Sequence, residues 1–150
     1  MRKIMAGILL GGAVLLSPVE SEAHERQCPK PIEVSYEDAQ ELMKIASAEA
    51  LNQGPDGMRF VMSVVINRVN SPDYPNTIHD VIHQAHQFYT AGMKAAEITP
   101  EVHQALSDLE MGNLVPEIVA FEKKENSSLD KFFSEAFEYR NHTFYTEKIQ

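Results

Sequence analysis

Two groups of side chains in this sequence could do chemistry. The first is a single carboxylate. Leu42, Ile45 and Ala46 repeat at helical spacing, and Glu49 falls on the next position of that stripe, seven residues after Leu42. A glutamate there faces a core or a cleft, and Ala48 and Ala50 on either side leave room around it. Burial favours the protonated form of a carboxyl and raises its pKa. A carboxyl kept protonated near neutral pH is what a general acid needs to protonate a leaving oxygen. The bland alternative is a helix-end glutamate that swings out to solvent near Gly54-Pro55.

The second group is His79-Asp80-Val81-Ile82-His83, with His86 three residues further on. Imidazoles at i and i+4 share a helical face, as in zinc-protease helices. Here the helix is short, the intervening acid is Asp80 rather than glutamate, and Asp80 already has a role as a cap. A solvated polar face is the simpler reading, and no metal or other cofactor is expected. The sequence shows neither a Gly-rich phosphate loop nor a serine in a nucleophile elbow.

The elements that must position these residues are mostly helical. Ser35 is an N-cap with Asp38 in a capping-box-like position, and the helix it opens runs to about residue 52. A second helix over 57–69 carries Met58, Val61, Met62, Val65 and Val69 on one face, with Val64 and Ile66 elsewhere. It therefore reads as the most buried helix. Residues 71–76 form a loop, and Thr77 caps a short helix with Ile78, Val81 and Ile82 turned inward. Residues 86–93 are irregular. Thr99-Pro100 starts another helix that ends at Gly112. Residues 118–121 and 143–146 look extended, separated by a polar stretch over 122–130. The expectation is one α+β domain over 35–150, helix-dominated, with a small β-hairpin late in the chain.

The 150 residues are 43% hydrophobic and 23% charged, which is ordinary globular composition. A formal net charge of -9 argues against non-specific nucleic-acid binding and against an electrostatic membrane anchor. One cysteine, Cys28, excludes an intrachain disulfide framework. At the N-terminus, Arg2 and Lys3 precede an uncharged apolar run over 4–16, and Ser21-Glu22-Ala23 supplies small residues for a signal peptidase. Residues 1–23 are thus expected to be a secretory signal peptide with His24 as the mature N-terminus, and 24–34 a leader. The run is too short to span a bilayer as a mature helix. The expected protein is secreted, works outside the cytoplasm as a monomer, and has no membrane contact beyond the signal peptide.

Ala48-Glu49-Ala50, the run Asn52-Gln53-Gly54-Pro55-Asp56-Gly57-Met58 and Val64-Val65-Ile66-Asn67-Arg68-Val69 resemble the cell wall hydrolases of the SleB type. The resemblance continues through Ser71-Pro72, Tyr74-Pro75-Asn76-Thr77-Ile78, Val81-Ile82, Gln84 and Gln87-Phe88. It closes on Asn141-His142-Thr143-Phe144-Tyr145. In three places the chain departs from the family's habit. Leu51, Asn52 and Gln53 stand where Arg-Gly-Glu is common, Tyr89 stands where serine is usual, and the chain has no tryptophan.

This resemblance implies a lysozyme-like, lytic-transglycosylase-like fold and action on peptidoglycan glycan strands. It also puts the family's catalytic glutamate on Glu49. Cleavage would fall between N-acetylmuramic acid and N-acetylglucosamine, with no metal. Ordinary glycosidases need a second carboxylate, and no second acid occupies a recognisable motif. A lytic transglycosylase needs only one, because the muramyl C6 hydroxyl serves as nucleophile. Gln87, Phe88 and Tyr89 are expected opposite Glu49, with His142 and Tyr145 as another wall. Asn67 is a further candidate for substrate contact, against a structural role in its buried helix. The rival classes are a non-catalytic peptidoglycan-binding module of the same fold and a zinc hydrolase built on His79, His83 and His86.

Overall fold

The computed structural model describes residues 31–126 and 128–148. The expected signal peptide, Cys28 and most of the leader lie outside them.

Four helices form where local chemistry starts them. Helix α1, Tyr36–Ala50, begins at Ser35, whose Oγ accepts the Asp38 N–H at 3.1 Å and donates to the Asp38 carboxylate at 2.8 Å. Helix α3, Ile78–Ile82, begins the same way: Thr77 accepts the Asp80 N–H at 3.1 Å and donates to its carboxylate at 2.7 Å. Thr99 caps α4, Pro100–Glu110, with proline in its first turn. Helix α2, Gly54–Val69, follows α1 through a single 3-10 turn, Leu51–Gln53. It starts three residues earlier than the sequence suggests. Gly54 takes a φ of +75°, a left-handed conformation that lets the chain reverse at once, and Pro55 is pre-set for the first turn.

Helix α2 is buried on two sides. Val61, Met62 and Val65 pack with Leu42, Ile45 and Ala46 of α1, Val81 and Ile82 of α3, and Val102, Ala105 and Leu109 of α4. Val64 points the other way, into a smaller cluster with Ile118 and Phe144. Three polar residues at spacing four, Arg59, Ser63 and Asn67, run down the same helix and tie in the segment that enters the sheet. Arg59 donates to the Asn113 carbonyl and Ser63 Oγ accepts the Val115 N–H. Asn67 Nδ2 donates to the Val115 and Ile118 carbonyls, both at 2.8 Å. A strand arriving at a buried helix leaves backbone groups short of partners; the Ser63 and Asn67 bonds satisfy part-buried ones, and Arg59 closes the ladder at its exposed end.

The late β element is a three-stranded antiparallel sheet, not a lone hairpin. Its strands are β1 (Ile118–Lys123), β2 (Phe133–Tyr139) and β3 (His142–Glu147), in the order β1-β3-β2. The sequence reading missed β2. Phe60 of α2 meets Phe137, Tyr139 and Phe144 edge-on at centroid distances of 5.0–5.5 Å, which fastens the sheet to the helix.

Candidate active site

The buried stripe of α1 carries Glu49 one turn beyond Ala46, at the rim of the helical core. Its side chain is half-buried, and Oε1 accepts the Tyr89 backbone N–H at 2.5 Å. Burial pushes the carboxyl above the ordinary glutamate value, and the Tyr89 hydrogen bond opposes that without reversing it. The donor is held by its own surroundings. After Tyr89 the chain winds into a 3-10 segment, Thr90–Ala95, that packs on α1. Gly92 suits that approach with the Tyr89 ring where it lies, since a Cβ there would come 2.6 Å from the ring and 3.2 Å from Ala48 Cβ.

A cleft of about 550 Å³ opens beside Glu49. One wall is the end of α1 and the turn after it, with Ser47, Asn52 and Gln53; the other is the sheet end, with Lys123, Glu125, Asn141 and His142. The tip of the β2–β3 hairpin joins the two walls. The Asn141 N–H donates to Gln53 Oε1 at 3.1 Å, and the Arg140 guanidinium donates to the Asn52 carbonyl at 3.4 Å. Gly57 admits Gln53 to this position, since a Cβ at 57 would sit 2.3 Å from Gln53 Cβ.

Two buried polar atoms on this cleft's residues, Ser47 Oγ and His142 Nδ1, have no hydrogen-bond partner among the described residues. His142 lies against Phe121, with ring centroids 5.3 Å apart, and burial with Lys123 nearby holds its pKa below the usual histidine value. It is therefore a neutral imidazole. Unpaired buried polar groups are costly, and both atoms are closed off from solvent as the cleft stands.

The remaining site candidates separate. Tyr89 contributes its backbone, while its ring is 61% exposed. Gln87 lines a different concavity of about 450 Å³, together with Arg68, Phe121 and Glu122. Phe88 is half-buried between the two core clusters, under the Arg68 guanidinium at 5.3 Å from its ring centroid. Tyr145 is not a wall of the cleft. It is buried, and its hydroxyl donates to Glu122 Oε1 at 2.9 Å. Burial alone would raise the Glu122 pKa, but hydrogen bonds from Ser128, the Leu129 N–H and Tyr145 outweigh it and hold that carboxyl below the ordinary value.

Asn67 also stands apart from the Glu49 cleft, its amide committed to two backbone carbonyls. Asn67→Ala should therefore destabilise the protein by about 1–3 kcal/mol, the worth of two hydrogen bonds to part-buried carbonyls, and leave the KM for substrate unchanged. Urea unfolding beside steady-state kinetics checks both expectations. The histidine trio does not assemble either. His79 and His83 sit beside Glu41 of α1, while His86, at φ 62°, lines the Gln87 concavity. Sequence reasoning missed Lys123 and Glu125, because only the folding of the sheet end against the α1–α2 turn brings them to Glu49; Ser47 and Gln53 are close to it in the chain, but no local pattern marks them as lining a cleft.

Among solved structures, the chain is similar to the catalytic domain of the Bacillus cereus SleB protein. That match has 20% identity and a TM-score of 0.64, and covers 78% of this chain and 95% of that one. It is also similar to the catalytic domain of the germination-specific lytic transglycosylase SleB from Bacillus anthracis. There the identity is 21% and the TM-score 0.62, over 77% of this chain and 99% of the other. The helix-dominated architecture with its small sheet is thus the fold of those catalytic domains. No curated protein sequence matches the chain. Residues 52–145 match the family described as Cell Wall Hydrolase, a match that begins three residues after Glu49 and takes in α2, the sheet and the hairpin tip. With most of its length inside that match, the chain belongs to the cell wall hydrolase family.

Proposed function

We propose that this enzyme cleaves peptidoglycan glycan strands between N-acetylmuramic acid and N-acetylglucosamine as a lytic transglycosylase, with Glu49 as its catalytic residue. One observation carries the reading: a half-buried carboxyl, biased toward its protonated form, lines a cleft together with two residues, Ser47 and His142, that each hold an unpaired polar atom. The neighbouring protein from Bacillus anthracis is described as a lytic transglycosylase, which supports the choice of reaction.

In the first step the Glu49 proton passes to the glycosidic oxygen as the bond from the muramyl C1 breaks. The muramyl C6 hydroxyl closes on C1, and the Glu49 carboxylate takes the hydroxyl proton. Glu49 ends protonated, ready for the next bond, and the product carries a 1,6-anhydro ring. Ser47 and His142 would form part of the cleft wall against the sugar. The expected site of action is outside the cytoplasm, reached by the N-terminal signal sequence. Among the described residues no helix is long and apolar enough to cross a membrane.

Glu125, exposed on the same cleft, favours a second reading, simple hydrolysis with Glu125 activating water. Mass spectrometry of muropeptides released from purified peptidoglycan separates the two. Anhydro ends, one water lighter, are expected; reducing ends that require Glu125 would replace the transglycosylase by a hydrolase, and no release at all would leave a binding module.

A further inference from the structure

The histidine pair on α3 is unused by this chemistry, and the fold gives it a partner that the sequence did not reveal. Glu41 on α1 lies across from it. His79 Nδ1 stands 2.9 and 3.2 Å from the two Glu41 oxygens, and His83 Nε2 stands 3.7 Å from Oε1. The two imidazole rings lie 4.3 Å apart, tilted by 34°. One ligand atom from each of the three residues can be chosen so that all lie within 4.8 Å of one another.

Three ligands about 2.0–2.2 Å from one tetrahedral ion stand about 3.3–3.6 Å from each other. The Glu41–His79 and Glu41–His83 separations bracket that range, and the two histidine ligand atoms lie within 4.8 Å of each other. The side chains are exposed enough to adjust, at 61% for His79, 42% for His83 and 28% for Glu41. We propose that Glu41, His79 and His83 form a surface site for a divalent transition-metal ion of the zinc type, with water as the fourth ligand. Two imidazoles and one carboxylate suit zinc, whereas magnesium and calcium prefer oxygen donors.

The ion belongs to the scaffold and not to the reaction. Glu41 and Glu49 are eight residues apart on one helix, about 12 Å along its axis. The ligands instead join α1 to α3, two elements from distant parts of the chain. Helix α3 leads into the segment that ends in the Tyr89 N–H, so a metal clasp there would stiffen the approach to the Glu49 hydrogen bond.

The competing description is a plain hydrogen-bonded ion pair between Glu41 and His79. Titration of the chelator-treated full chain with zinc chloride, followed by calorimetry, distinguishes them. One ion per chain is expected, with the melting temperature rising on addition. His83→Ala and Glu41→Gln should each weaken uptake at least 100-fold and remove the melting shift, while His86→Ala should bind as the wild type does. Cobalt in place of zinc should show the visible bands of a four-coordinate N/O site, lost in the same two variants. Peptidoglycan cleavage should persist in His83→Ala. No uptake at millimolar zinc, or uptake that both ligand variants leave intact, would overturn the site.

Discussion

Glu49→Gln is expected to slow glycan cleavage by at least ~10²–10⁴-fold, the usual worth of a positioned general acid. Glutamine keeps the shape of the side chain and an oxygen for the Tyr89 N–H, but it has no proton to give at neutral pH. The same substitution should leave the fold at least as stable. Burial raises the folded-state pKa of Glu49, so the ionised form is the one that costs the fold free energy. That cost is absent below the unfolded pKa, develops as pH rises through the interval between the two values, and is complete above the folded one. Glutamine never ionises, so the variant should match wild type in acid and gain on it toward neutral pH. Wild-type activity should fall on the alkaline side as Glu49 loses its proton. Turnover and melting temperature, measured for both proteins across pH, test all of these. A folded Glu49→Gln protein that still cleaves would refute the assignment.

Phe144→Ala should be the most damaging substitution for stability. Its ring is fully buried, stacked on Phe137 at 5.1 Å and flanked by Phe60, Phe121 and His142. Removing a buried phenylalanine costs about 3–5 kcal/mol, a large share of the ~5–15 kcal/mol that holds a typical domain together. The effect should reach the cleft, because Phe144 lies on β3 two residues from His142. Phe132→Ala is the contrast: its ring is 70% exposed, and the change should stay within about 0.5 kcal/mol. Denaturant midpoints for the two variants check the difference.

What the sequence revealed was what neighbours along the chain decide. Ser35, Thr77 and Thr99 cap their helices because a hydroxyl three residues from an amide needs nothing else. Glu49 was visible because its stripe is local, and α2 announced its burial by having apolar residues on more than one face. Strand β2 gave no such signal. Phe133–Tyr139 holds no β-branched residue and two glutamates, and its pairing with β3 shifts register between Glu135 and Phe137, which spoils any alternation. Tyr145 was misplaced for the opposite reason. His142, Thr143, Phe144 and Tyr145 are buried in succession, so a period of two could not say which of them faces a cleft. Asn67 and Gln53 do their work on backbone groups 48 to 88 residues away, and no local pattern encodes that.

The hydrogen bond from the Tyr89 main chain to Glu49 has a bearing on how such an enzyme can diverge. A backbone donor is indifferent to the side chain hung from it. Nineteen of the twenty amino acids present the same N–H; proline alone does not. Position 89 can therefore change without loss of that bond: serine and the tyrosine of this chain offer the carboxyl the same N–H. The steric demand lies at the next turn, where a Cβ on Gly92 would come 2.6 Å from the Tyr89 ring and 3.2 Å from Ala48 Cβ, so the size allowed at 92 depends on the side chain at 89. Drift at position 89 would thus be felt first at a glycine and not at the acid.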